Sequence, residues 1–131
     1  MSDQSYYSAH VVSKITAETN AHGIWGLNLE LDDGTICKAG KYKYVSKVEQ
    51  EYIPTDDLMT IEAVFDRNDR FVAQLIFTHR DGSTHTLGPS KEEVTRRELV
   101  TLDENEVLIG AEMDTSAQFM MGITFITLKK I

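Results

Sequence analysis

The sequence is poor in the residues that cross-link or rigidify small proteins. Its 131 residues include one cysteine, Cys37, and two prolines. A single cysteine excludes an intramolecular disulfide framework, so the fold has to rest on an apolar core, which a chain of this size can build. No low-complexity run or linker divides the chain. The sequence therefore predicts one domain over residues 1–131.

Signals for membranes and secretion are lacking as well. No apolar run approaches the roughly 20 residues that cross a bilayer. The N-terminus has neither the basic region nor the apolar core of a signal peptide, and no Asn-x-Ser/Thr sequon occurs. Together with the absence of disulfides, this pattern predicts a cytoplasmic protein.

Positive charge is scarce, with 13 Lys and Arg against 21 Asp and Glu and a formal net charge of −8. Nucleic acids and anionic membranes need a cationic surface. The basic clusters Arg96-Arg97 and Lys129-Lys130 are too small to supply one. We therefore predict neither nucleic acid nor a membrane as a partner.

Catalytic and metal-binding patterns are also missing. There is no GxSxG motif and no glycine loop that cradles a phosphate, so we predict that the protein is not an enzyme. Its four histidines do not stand at zinc-ligand spacing. The loop with Asp66, Asn68 and Asp69 lacks the glycine and the terminal glutamate of a helix–loop–helix calcium site. The sequence predicts no cofactor and no metal.

The sequence does contain a strand pattern that recurs three times. Apolar residues alternate with polar ones, as at Leu27 and Leu29, which predicts strands with one buried face. The turns Asp33-Gly34 and Asp81-Gly82 follow the first two copies and are typical of hairpins. The equivalent positions Leu27, Leu75 and Ile123 are 48 residues apart both times, and an Ile-x-Ala segment begins before each copy at Ile15, Ile61 and Ile109.

Three units of this size cannot each bury an apolar face alone, so they must share one core. We therefore predict an all-β fold, a β-prism in which three Greek-key-like sheets stand in a pseudo-threefold arrangement. The charged segment Ser90–Leu99 is predicted to be a loop or an edge. The predicted shared core consists of Leu27, Leu29, Leu75, Phe77, Ile123 and Phe125.

Several motifs, in their order and spacing, resemble the jacalin-related lectins over nearly the whole chain. Glu51–Ile61 contains a proline and acidic residues that lead into a strand. Leu87-Gly88-Pro89 follows the apolar strand Leu75–Thr78, and Leu102–Gly110 leads to the final hairpin. The resemblance implies a non-enzymatic, jacalin-like lectin domain. Such lectins bind sugars without metal at loops gathered at one end of the prism.

The chain departs from the sugar-binding pattern of that family. The GxxxD motif would fall on Ala117–Met121, which has neither the glycine nor the aspartate, and Trp25 and Ala73 take the aspartate position in the other two copies. The glycine-rich N-terminal loop is missing too. Binding of a glycan or glycoprotein is thus implied only by the resemblance. The alternative is a protein interaction or assembly module, self-association included, that has lost sugar binding.

Two loops at the expected end carry polar side chains that suit a sugar, whose hydroxyl groups need hydrogen-bond partners and an aromatic face. The alternative for the loop that contains Asp66–Asp69 is that it is an ordinary polar hairpin tip. Met113, Phe119, Met120 and Met121 either close the core or form a surface for a protein partner. The candidate ligand-binding residues are Asp66, Arg67, Asn68, Asp69, Asp114, Ser116, Gln118 and Phe119.

Overall fold

A computed structural model describes residues 10–20, 23–39, 48–66, 72–89, 96–114 and 122–129. These residues form ten strands and no helix, and thus no helix that could cross a membrane. The prediction of an all-β fold is confirmed. The strands are β1 Val12–Thr19, β2 Ile24–Leu31, β3 Ile36–Ala39, β4 Val48–Tyr52, β5 Leu58–Phe65, β6 Val72–His79, β7 Thr84–Leu87, β8 Arg97–Thr101, β9 Glu106–Asp114 and β10 Gly122–Lys129.

The strands pair antiparallel in several sheets. The first sheet has the order β3-β2-β1-β4, the second β7-β6-β5-β8 and the third β10-β9. The first two sheets therefore share one plan, in which a central hairpin is bordered by the strand that follows it and by a later strand. The edge predicted within Ser90–Leu99 is present, because β8 is the edge strand of the second sheet.

The three long hairpins, β1–β2, β5–β6 and β9–β10, have a bulge at the same place. In each hairpin, two consecutive residues of the second strand pair with residues of the first strand that are two positions apart, which leaves one extra residue on the first strand. The later of the two second-strand residues stands four positions after Leu27, Leu75 or Ile123. Bulges increase the local twist of a hairpin, so the three hairpins twist alike at this position. The extra residues are Ser13, Met59 and Ile109.

The register of the third hairpin differs from the sequence alignment by two residues. Ala17 lies opposite Leu27 and Ala63 opposite Leu75, but Ile123 faces Met113, and Ala111 faces Phe125 instead. A shift of two residues keeps every side chain on the same face of the sheet. The Ile-x-Ala segment of the third copy is therefore displaced along the strand without exposing the core.

One apolar core joins all three sheets. The six residues predicted for it are all buried in a single cluster, as expected for three hairpins that share their apolar faces. Leu27, Leu29, Leu75 and Phe77 are 0% exposed, whereas Ile123 and Phe125, in the third sheet, are 7% and 8% exposed. The third hairpin is thus the least covered part of the core.

The two predicted Asp-Gly turns are present and nearly identical. Gly34 has a φ of 91° and Gly82 a φ of 92°, in the left-handed region that glycine adopts at no steric cost. The N–H of Leu31 donates to the Thr35 carbonyl oxygen at 2.8 Å, and the N–H of His79 to that of Ser83 at 2.9 Å. Both hairpins therefore turn at the position that the sequence predicts.

The first and second sheets meet where β4 lies beside β7. The ring of Tyr52 stacks on Phe77 with 4.0 Å between centroids, and its hydroxyl is 2.8 Å from Nε2 of His79. Burial raises the pKa of Tyr52 to about 12. From the middle of β4, Oε1 of Gln50 accepts a hydrogen bond from the N–H of Gly88 at 2.7 Å. Side chains of β4 thus contact the second sheet at two points of this corner.

Candidate functional site

A pocket lies between the second and third sheets, where β5 and β9 end and β8 and β10 begin. It has a volume of about 460 Å³, within the range of small-molecule sites. We call it the strand-end pocket. The described residues that line it include three apolar side chains and four polar or charged ones: Phe65, Arg96, Glu98, Glu112, Met113, Gly122, Ile123 and Thr124.

One wall of the pocket is fixed by Phe65 and Arg96. Phe65 ends β5 and is 1% exposed. Its N–H donates to the carbonyl oxygen of Arg96 at 2.9 Å, and the Arg96 guanidinium carbon lies 3.8 Å from the centre of the ring. A cation over an aromatic face is attracted by the ring quadrupole. Since the guanidinium covers this face of Phe65, a sugar cannot stack there.

The charged side chains that the described residues contribute to the pocket have a negative net charge. The guanidinium of Arg96 donates to the carboxylate of Glu98, so these two charges offset each other. Glu112 is exposed on β9 and lies opposite the exposed Thr124 of β10. A carboxylate accepts strong hydrogen bonds from hydroxyl groups. Among the described residues, the pocket therefore presents one net negative charge with a hydroxyl beside it.

Only two of the predicted site residues lie in the described part of the chain. Asp66 directly follows β5 and is 5% exposed, whereas Asp114 ends β9 opposite Gly122. Asp66 is not among the residues that line the strand-end pocket, although Phe65 beside it is. The remaining candidates stay predictions, because they lie outside the described residues: Arg67, Asn68, Asp69, Ser116, Gln118 and Phe119.

The polar residues of the pocket were not among the candidates from the sequence. Arg96 was noted only as part of a small basic cluster, and Glu98 lies in the charged segment before residue 100. Both reach the pocket because β8 pairs with β5, from which it is distant in the chain. The strand pattern of the sequence did indicate that Glu112 and Thr124 face outward, because each is one residue away from a core position of its strand.

The aspartate position of the GxxxD motif is buried in the first two hairpins. Trp25 is 5% exposed and Ala73 is 0% exposed. Side chains at these positions therefore contribute to the interior of the fold. The absence of the usual sugar site stays a prediction, and the third position, Met121, lies outside the described residues.

The opposite end of the first sheet carries a cluster that spacing rules did not find. Nδ1 of His10 lies 2.8 Å from Oδ1 of Asp32, and Nε2 of the same ring lies 3.4 Å from Oδ2 of Asp33. The ligand atoms are within 4.8 Å of one another, and all three side chains are exposed. The backbone N–H of Thr35 donates to Asp33 and lowers the pKa of that carboxyl group. The contacts of His10 with the two carboxyl groups and the hydrogen bonding of the turn thus account for this cluster.

Two histidines, His79 and His85, flank the second Asp-Gly turn. The rings of His79 and His85 both lie beside Tyr52, at centroid distances of 5.8 and 5.1 Å. His79 also contacts Ser83, whose hydroxyl lies 3.1 Å from Nδ1. These contacts assign His79 to the packing of the corner between the first two sheets.

No protein-family model and no curated protein matches the sequence. Three solved structures are similar in fold. PirB has a TM-score of 0.70 at 12% identity over 92% of this chain. A prostate-specific WGA16 glycoprotein lectin has a TM-score of 0.69 at 13% identity over 95% of this chain and 86% of its own. A lamprey immune protein has a TM-score of 0.69 at 10% identity over 93% of this chain.

The chain spans 29% of the PirB chain and 38% of the lamprey chain, so it is similar to one part of each. At these identities the likeness shows the fold alone. The chain therefore has an all-β fold that a solved lectin shares.

Proposed function

We propose that the chain is a non-enzymatic, lectin-like binding module that takes a glycan or glycoprotein ligand in the strand-end pocket. The observation that carries the proposal is the pocket itself, at an end of the sheets where a carboxylate, a guanidinium and a hydroxyl group converge above an apolar floor. Such a set of donors and acceptors suits the hydroxyl groups of a sugar. The shared fold with a solved lectin supports it.

The proposal includes a β-prism related to the jacalin-related lectins. Three hairpins with a bulge at one common position, one core between three sheets and a common plan of the first two sheets support this arrangement. Since the aspartate positions of the first two copies are buried, the ligand contacts differ from those of the family. They come from strand ends, with Glu112 as the acceptor for ligand hydroxyl groups.

The side chains that contact the ligand are already held in position before it binds. The guanidinium of Arg96 is held by Phe65 and Glu98, so little of its freedom is lost when a ligand binds. Glu112 accepts from one or two ligand hydroxyl groups, and hydrogen bonds to a charged group contribute roughly 1.5–3 kcal/mol. Met113 and Ile123 provide apolar contact for the ring carbons.

A glycan array followed by titration calorimetry of the glycans that bind tests the proposal. Glu112→Gln keeps the size of the side chain but removes its charge, and we expect it to weaken binding at least tenfold. Glu104→Gln is the matched control. It changes an exposed glutamate in the turn before β9, roughly 25 Å along the strand from the pocket, and binding should not change. Absence of binding to any glycan, or equal losses in both variants, would refute the proposal.

A further inference from the structure

The two arginines that the described residues place beside the strand-end pocket are both paired with carboxylates. Arg96 donates to Glu98, and Arg97 donates to Glu62. The guanidinium of Arg96 also lies over the ring of Phe65, 3.8 Å from its centre. An anionic ligand would therefore have to displace Glu98 before it could pair with Arg96.

Glu112 is the second carboxylate that lines the pocket. It is exposed on β9 and lies directly opposite the exposed Thr124 of β10. Directly opposed residues of an antiparallel pair have their Cβ atoms about 5 Å apart. The carboxylate oxygens of Glu112 and the hydroxyl oxygen of Thr124 can therefore accept hydrogen bonds from one and the same ligand group.

The segments that connect the lining strands do not offset this negative charge. Residues 67–71 connect β5 to β6, residues 90–95 connect β7 to β8, and residues 115–121 connect β9 to β10. Together these segments contain three acidic and three basic residues, so they add no net charge. Asp66 and Asp114, which precede two of them, are acidic as well. The negative charge of the pocket is thus not balanced by the sequence around it.

A protonated amine suits these acceptors better than a hydroxyl group does. An ammonium group has three donors and no acceptor, and its hydrogen bonds to a carboxylate are charge-assisted. A hexosamine carries one such group on an otherwise neutral ring. That group would balance the one net negative charge that the described residues give the pocket. An N-acetyl group is uncharged, and the carboxylate of a uronic acid has the same sign as the pocket.

We propose that the strand-end pocket selects sugars with an unacetylated amino group, such as glucosamine, over N-acetylated and acidic sugars. Such a sugar occupies the site of the proposed function, on which this inference rests. The ammonium group binds Glu112 and Thr124, while the ring carbons lie against Met113 and Ile123. At longer range, the net charge of −8 of the whole chain attracts cations and repels anions.

Three methyl glycosides test the charge preference. They are methyl β-glucosaminide, methyl N-acetyl-β-glucosaminide and methyl β-glucuronide. Amide chemical shifts recorded by NMR during titration of the full chain give both the affinity and the contact site. We expect the glucosaminide to bind at least tenfold more tightly than the other two, because a hydrogen bond to a charged partner exceeds a neutral one by enough for about this factor. Its largest shifts should lie at Glu112 and Thr124.

Two single variants assign the preference to one carboxylate. Glu112→Gln keeps the size of the side chain but removes its charge, and should reduce the preference for the glucosaminide over the N-acetyl glycoside to less than about threefold. Glu104→Gln removes the same charge from an exposed residue in the turn before β9, and the preference should not change. If the net charge of the whole chain caused the preference, both variants would reduce it alike.

A double variant reverses the charge of the pocket. In Glu98→Gln/Glu112→Gln, Arg96 no longer has the carboxylate of Glu98 beside it, and the described lining is left with one net positive charge. Both glutamates are exposed, so the fold should be retained, and the dispersion of the amide spectrum checks this. The glucuronide should now bind more tightly than the glucosaminide.

The possible outcomes separate this inference from the proposed function. If the N-acetyl or the acidic glycoside binds in the pocket as tightly as the glucosaminide, the inference is overturned while the proposed function stands. Equal loss of the preference in both single variants, or an unchanged order of ligands in the double variant, would overturn it as well. If neither these glycosides nor any glycan of an array binds, both the inference and the proposed function fail.

Discussion

Replacement of Gly88 by alanine should destabilise the fold more than the same change at another glycine with positive φ. Gly88 has a φ of 103°, and a Cβ atom there would lie 2.3 Å from the carbonyl oxygen of Ala73 and 3.1 Å from the Cα of Gln74. Both obstacles are backbone atoms of β6, a central strand of the second sheet. They cannot move without disturbing the core.

Gly82 provides the matched control. Its φ of 92° is similar, but no heavy atom lies within 4 Å of the position of a Cβ. Gly82→Ala therefore incurs the backbone strain alone, roughly 1–2 kcal/mol. Gly88→Ala adds the cost of forcing extra volume into packed structure, about 1–3 kcal/mol. We expect a total loss of roughly 2–5 kcal/mol at Gly88.

Urea unfolding measures both values. Trp25 is the one tryptophan in the sequence and is 5% exposed, so its fluorescence reports loss of the core. The free energy of unfolding should fall in the order wild type, Gly82→Ala, Gly88→Ala. If the two variants were equally stable, the close approach of Gly88 to β6 would be refuted.

Two further predictions test the core and the corner between the first two sheets. Leu75→Ala, at a 0% exposed position, should lower the free energy of unfolding by about 2–5 kcal/mol. The control Leu99→Ala, at a 61% exposed position, should change it by less than about 0.5 kcal/mol. Similar losses of the two variants in urea unfolding would contradict the burial pattern. The pKa of Tyr52 is raised from 10.0 to about 12 by burial, so the unfolded chain loses this proton first and stability should decline as the pH rises from 10 to 12. Tyr52→Phe should decline less over that range, and a profile with an unchanged slope would count against the buried hydroxyl.

The local parts of the fold were predictable because their signals are local. Alternating apolar residues and the Asp-Gly turns at Gly34 and Gly82 place two hairpins correctly. The register of the third hairpin was not predictable in the same way. A displacement of two residues, such as that of Ala111, leaves the period-two pattern unchanged, and only the hydrogen-bonded pairs reveal it.

The candidate site was less predictable than the fold. The sequence directed attention to polar loop residues, of which Asp66 is buried and six others lie outside the described residues. The strand-end pocket depends on Arg96 and Glu98, which reach it through the pairing of β8 with β5. Pairing between strands distant in the chain depends on tertiary packing, so a charged segment such as this one gives no local signal for it.

The most direct test of the account is to map the contact site of a glycan that binds on an array. Amide chemical shifts are recorded by NMR during a titration of the full chain. The account predicts that the largest changes occur at the strand-end pocket, at Phe65, Glu112 and Thr124 and their neighbours, with little change at the turns around Gly34 and Gly82. Changes concentrated at those turns, or no changes with any glycan, would contradict it.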